Sequence, residues 1–191
     1  MYIIKRNSTL ELVVKNSRFI CNIIFTDNMD NAHTLLNNIK KQYSDATHNC
    51  YAINFETTSQ SSDDGEPLHT AGLPMLNVLQ KNKMINTLCV VTRYYGGIKL
   101  GTGGLVRAYT KCAAECLKLA EKIEYIKNIK IKFNTDYNKL SEIENYLKSY
   151  TQISKSFNEQ ILLEYTVPEV EFKNIKNQLN VFFVKKIDII Q

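Results

Sequence analysis

All seven glycines of this 191-residue chain lie between Gly65 and Gly104. Glycine costs backbone entropy and serves a fold mainly where φ must be positive or where another group approaches the main chain closely. The same window holds SDDGEP from Ser62 to Pro67, RYYGG from Arg93 to Gly97 and KLGTGGLVR from Lys99 to Arg107. Glycines interleaved with carboxylates, arginines and a lysine do not read as a flexible linker. They read as a shaped polar surface, and function is expected to concentrate there.

Around that window the hydrophobic pattern predicts an α+β chain. Leu10, Leu12 and Val14 alternate with polar neighbours, and Phe19–Phe25 follow a turn at Asn16 and Ser17, which is a hairpin pattern. Ala32, Leu35, Leu36, Ile39 and Tyr43 share one helical face, with His33 off it. Thr47–Phe55 reads as a strand that points Tyr51, Ile53 and Phe55 one way and His48, Cys50 and Ala52 the other. The polar run 56–65 reads as a loop, Pro74 suits the first turn of a helix, and Thr87–Thr92 is the most apolar strand. From Leu105 to Ala120 the apolar residues recur at helical spacing, with the GTGG turn ahead of them.

Beyond Asn128 there is no glycine, and the pattern gives strand 129–133, helix 140–150, strands 153–157 and 161–165, helix 168–179 and strand 182–190. This β-α-β-β-α-β order fits a ferredoxin-like domain. Two domains are expected, 1–127 and 128–191.

Charge and cysteine usage narrow the setting. The net charge of +5 resides mostly in residues 1–127, with 15 basic and 11 acidic side chains against 9 and 8 in the remainder. That is too mild to define a nucleic-acid binder by itself, yet it suits an anionic partner. The cysteines, Cys21, Cys50, Cys89, Cys112 and Cys116, are odd in number, form no CxxC pair and sit among apolar residues, so buried reduced thiols are expected. The N-terminus lacks the apolar core of a secretion signal, and no run approaches the roughly 18 apolar residues that cross a bilayer. A cytoplasmic protein without membrane contact is expected.

Within the glycine window the candidate anion- or nucleic-acid-binding residues are Arg93, Tyr94, Tyr95, Lys99, Gly103, Gly104 and Arg107. Arginine offers a planar multi-donor head to phosphate or carboxylate, tyrosine offers a stacking face, and the first amides of a helix have no internal partner. Asp63, Asp64 and Glu66 form an acidic cluster with two readings: divalent-metal or acid–base chemistry, or ion pairs to Arg93, Lys99 and Arg107. His69 reads as a rim residue or a proton carrier. His48 and Cys50 share a strand face, but a rise of about 6.6 Å keeps them beyond direct hydrogen bonding in a straight strand. The GTGG run lacks the spacing of a nucleotide-binding loop, because Lys99 precedes it. No complete catalytic set, resident metal or cofactor is implied.

THNCYA from Thr47, SDDGEP from Ser62, TAGLP from Thr70 and VTRYYGGIKLGTGGLVRAY from Val91 to Tyr109 together resemble the YigZ/Impact family, and the resemblance runs over nearly the whole chain. It implies an N-terminal domain similar to domain 2 of ribosomal protein S5 and a ferredoxin-like C-terminal domain. It also implies a non-enzymatic role in translation, with the ribosome, structured RNA or a translation-related protein as partner. The family usually carries Ser-Gly where this chain has Leu68-His69, and Phe where it has Tyr95. Two other classes stay open on the residues alone. One is a magnesium-assisted enzyme acting on a phosphorylated small molecule or nucleotide. The other is a protein-binding module that uses the open face of the second domain.

Overall fold

The computed structural model describes residues 1–184 and 186–190. The chain forms two compact units that divide after Tyr125.

In the first unit the order is β1 (Tyr2–Arg6), β2 (Ser8–Val14), β3 (Ser17–Phe25), α1 (Met29–Gln42), β4 (His48–Asn54), β5 (Ser59–Ser62), α2 (Gly72–Lys81), β6 (Thr87–Tyr94), α3 (Thr102–Leu119) and β7 (Glu121–Glu124). Five strands make an antiparallel sheet in the order β2-β3-β6-β4-β5, while β1 pairs with β7. Both faces of the large sheet are covered. Cys21, Cys50, Ala52, Cys89 and Val91 pack under α2 and α3, and Tyr51, Ile53, Leu88 and Val90 pack under α1. The two-residue period of β4 therefore separates the sides as its sequence predicts. All five cysteines are buried and free.

The β2–β3 hairpin turns on Lys15 and Asn16, whose φ values are +46° and +62°. Two successive left-handed residues match the natural twist of paired strands, so the turn sits one residue earlier than the sequence suggests. Gly96 is packed against this turn. A Cβ there would stand 2.1 Å from the Asn16 carbonyl group, so no other residue fits without moving the hairpin.

Two expectations change. Residues 56–65 are not wholly loop, because Ser59–Ser62 pair with Tyr51–Asn54 of β4. The open edge of β4 supplies the backbone partners that local propensity does not foresee, and a short polar strand is a common way to end a sheet. Helix α3 begins at Thr102, so Gly103 and Gly104 lie in its first turn instead of preceding it. Gly101 occupies the N-cap with φ +72°, a conformation that disfavours side chains.

In the second unit the order is β8 (Asn128–Thr135), α4 (Leu140–Tyr146), β9 (Thr151–Phe157), β10 (Ile161–Pro168), α5 (Phe172–Val181) and β11 (Ile187–Ile190), with short 3-10 turns before both helices. The sheet order is β11-β8-β10-β9, antiparallel throughout. Ile131, Phe133, Leu163, Tyr165 and Val167 meet Ile143, Leu147, Ile175 and Leu179 in one core. The alternate face carries Lys132 paired with Glu164 at 2.9 Å. The last strand is shorter than the predicted 182–190. Lys185, within that prediction, and Gln191, just past it, lie outside the described residues.

Candidate functional site

The polar residues of the glycine window converge at one end of the first unit's sheet. Strand register sets Arg93 of β6 between Phe19 of β3 and His48 of β4. Their side chains lie on the face that α2 and α3 cover. Arg93 is 5% exposed. Its Nη1 donates to Glu66 Oε1 at 2.6 Å and its Nη2 donates to Ser17 Oγ at 3.3 Å. The guanidinium carbon lies 5.4 Å from the Phe19 ring centre and 5.5 Å from that of Tyr95. Arg93 Nε is buried without a partner.

Glu66 is the counter-charge to this buried arginine. Its Oε1 accepts a second hydrogen bond from Tyr109 Oη at 2.7 Å, and Cys50 Sγ lies 3.3 Å from the same phenol oxygen. Burial pushes the Cys50 thiol up to about 12, with the carboxylates of Glu66, Asp64 and Asp63 adding to the shift. Burial likewise raises the Tyr109 phenol, helped by Cys50 and Glu66. At neutral pH both are protonated donors. Cys50 is therefore a structural thiol and not the activated nucleophile that a pairing with His48 would require.

The loop from Ser62 to Ala71 holds Glu66 in place by tying down its two acidic neighbours. Asp63 Oδ1 accepts from the amides of Ala71 and Gly72, at 2.9 and 2.8 Å, and Oδ2 accepts from the His69 amide at 2.7 Å. The Asp63 side chain thus satisfies amides around the start of α2. Asp64 Oδ2 accepts from the Asn49 amide at 2.7 Å, and Oδ1 pairs with Lys40 at 2.9 Å. Burial by itself would raise both aspartates, but these hydrogen bonds outweigh it and hold both carboxyls below their ordinary value. His48 Nδ1 donates to the Asp64 carbonyl at 2.8 Å, which leaves Nε2 directed toward Glu66, 3.9 Å from Oε2.

Each of the three carboxylates has its own partners, so they do not form a shared magnesium site. Among the described residues no cluster of three histidine, cysteine or acidic side chains is arranged to hold a metal. The ion-pair reading holds for Glu66 with Arg93, whereas Asp64 selects Lys40 instead of Lys99 or Arg107.

Two adjoining hollows open beside this network. The first, of about 430 Å3, is lined by His48, Glu66, Arg93, Tyr95, Lys99 and Thr102, with Pro67, Leu100 and Leu105 as apolar walls. The second, of about 270 Å3, holds Lys15, Arg107 and Lys111 around Gly104, and Leu100 lines both. The first turn of α3 runs between them, and no side chain caps its amides.

The structure thus brings Arg93, Tyr95 and Lys99 to one hollow and sets Arg107 at the next. Tyr94 departs from the candidate set: its Oη donates to Asp45 at 2.8 Å and Arg18 lies over its ring. Arg93 is a buried member of an ion pair, so the expectation that it forms part of an open basic surface is corrected. His69 is exposed, with φ +62°, the left-handed conformation suited to the glycine that the family resemblance implies there. Sequence reasoning missed Tyr109, Ser17 and Lys40. Tyr109 carried the best available signal, because a phenol on an otherwise apolar helix face must find a partner when buried.

The Impact N-terminal domain family matches residues 15–117. The IMPACT family member YvyE of Bacillus subtilis is 39% identical over 89% of this chain and 81% of its own length. An IMPACT family member of Haemophilus influenzae is 34% identical over 93% of this chain and 90% of its own length. A crystal structure of a hypothetical protein superposes with a TM-score of 0.67 at 29% identity, covering 99% of this chain and 95% of the other. Among the described residues no helix is long and apolar enough to cross a membrane. With the family signature spanning more than half of the sequence, and with relatives above 30% identity along most of both lengths, this chain belongs to the IMPACT family.

Proposed function

We propose that this protein is a non-enzymatic accessory or regulator of translation in the cytoplasm, docking on structured RNA, with the ribosome as the expected partner. The observation that carries this reading is the groove of Lys15, Arg107 and Lys111 beside the uncapped first turn of α3, with no carboxylate in its lining. Cations and open helix amides attract phosphate, and this attraction needs no base sequence. Lys99 extends the positive surface along the neighbouring hollow. Membership of the IMPACT family supports a translational setting.

The first unit is taken as a domain similar to domain 2 of ribosomal protein S5, and the second as a ferredoxin-like domain. For the second, the support is its element order and its strand order, in which the first and third strands are central. The buried Glu66–Arg93 pair acts in this account as the post on which the rim of the surface is mounted.

The test is binding to a structured RNA hairpin across a salt series, with wild type and an Arg107→Ala/Lys111→Ala variant. Each lost phosphate contact is expected to flatten the logarithmic salt slope by about 0.7–0.9, with the melting temperature unchanged. An identical slope and affinity in the folded variant would remove the groove from the interface.

A further inference from the structure

The hollow beside Tyr95 differs in chemistry from the basic groove. Its walls are apolar, from Pro67, Leu100 and Leu105, and Tyr95 at its edge is 46% exposed. At one side stand two hydrogen-bond acceptors. Glu66 has a side chain only 3% exposed, and Oε1 takes the hydrogen bonds from Arg93 and Tyr109. Its Oε2 faces His48 Nε2 at 3.9 Å. Because His48 Nδ1 donates to the Asp64 carbonyl, Nε2 of the neutral ring is also an acceptor. Two acceptors at that separation call for one group with two N–H bonds. Glu66 lines the hollow, and no hydrogen bond to its Oε2 is made among the described residues, so that oxygen is open to such a group. Lys99, Thr102 and the uncapped start of α3 line the same hollow and suit an anion.

We infer that this hollow binds a single unstacked nucleotide whose base carries an exocyclic amine. The amine bridges Glu66 Oε2 and His48 Nε2, the base lies against Tyr95 and the apolar wall, and the phosphate rests at Lys99 and the first amides of α3. A primary amine on an aromatic ring supplies both hydrogens, and cytosine, adenine and guanine all have one. Uracil does not. The volume, about 430 Å3, admits one nucleotide and excludes a stacked duplex. The same chemistry comes from a free nucleoside monophosphate or from a residue extruded from RNA. The RNA source rests on the function proposed above.

The probes are CMP, UMP and inorganic phosphate, together with an RNA hairpin carrying one bulged C and the same hairpin with U at that place. Binding is measured by calorimetry, and occupancy of the hollow by NMR shifts of His48, Tyr95 and Thr102. CMP is expected to bind at least about tenfold more tightly than UMP, the scale of the hydrogen bond to the charged Glu66 acceptor alone, and to move all three residues. Tyr95→Ala is expected to weaken CMP and the bulged-C hairpin by about 5- to 100-fold while leaving the salt slope unchanged. Lys99→Ala is expected to flatten that slope. Bulged-C binding far tighter than CMP identifies an extruded RNA residue as the ligand, and CMP binding without any hairpin binding identifies a free nucleotide. In the second case the nucleotide hollow stands and the RNA-docking reading falls. If the hairpins bind with a normal salt slope while no probe moves His48, Tyr95 or Thr102, the nucleotide hollow is overturned and RNA docking stands. Equal affinity for CMP, UMP and inorganic phosphate also overturns it, leaving only an anion site.

Discussion

Arg93 and Glu66 show how one buried contact decides which residues are free to act. Their contact at 2.6 Å is shielded from water on both sides, with side chains 6% and 3% exposed. Removing one partner leaves the other charged and unpaired in the interior, which typically costs about 3–5 kcal/mol. Arg93→Ala is therefore expected to lower stability by that amount in urea denaturation, whereas Arg107→Ala, at an exposed position of α3, is expected to leave it nearly unchanged. A midpoint for Arg93→Ala equal to wild type would mean that the pair does not anchor the site. The sequence places both residues in one polar cluster, but spacing alone does not say which charge pairs with which. Arg93 reads there as a surface donor, the acidic trio as a metal or acid–base cluster or as partners for Arg93, Lys99 and Arg107, and Tyr109 as plain core. Those assignments depend on strand register and on the path of the Ser62–Ala71 loop, which bring together groups distant in sequence.

At the scale of elements, Asp63 joins that loop to α2. Three amides converge on its carboxylate, from His69, Ala71 and Gly72. They hold its carboxyl below the ordinary value despite the opposing effect of burial. The stability this gives is fully present above the unfolded-state pKa of about 3.9 and is lost as pH falls through the lower folded-state value. Asp63→Asn is expected to be less stable at pH 7 by about 1–3 kcal/mol, because the side-chain NH2 cannot accept and at least the His69 amide or the Ala71 and Gly72 amides lose their acceptor. It is also expected to show a shallower loss of stability below about pH 4. Denaturant midpoints measured from pH 2 to 7, spanning this range, check both, and parallel acid limbs in the two proteins would contradict the assignment. The elements themselves were largely legible. The hairpin, the α1 face, the two-sided β4 strand and the amphipathic α3 all follow from hydrophobic period. Gly96 follows from the close-approach argument, since the Asn16 carbonyl occupies the space its Cβ would need. Strand β5 does not, because Ser59–Ser62 are extended by pairing with β4 and not by their own preference. The start of α3 is not legible, because two glycines in a first helical turn look like a loop from sequence alone.

For the whole molecule, the change of texture near Asn128 marks the passage between units, which the structure sets after Tyr125. The β-α-β-β-α-β order of the second unit was legible because its buried residues alternate cleanly, as in Ile161, Leu163, Tyr165 and Val167. The basic surface was legible as a concentration of residue types, though its division into a cation groove and an apolar-walled hollow was not. Those two hollows share Leu100 as a wall, and together they form the surface proposed to meet the translation apparatus. Sedimentation with purified ribosomes and separated subunits across a salt series, for wild type and Lys99→Ala/Arg107→Ala, addresses that docking most directly. Saturable binding that weakens as salt rises and is lost in the folded variant is expected. Absence of saturable binding at low salt, or equal binding by that variant, would contradict it.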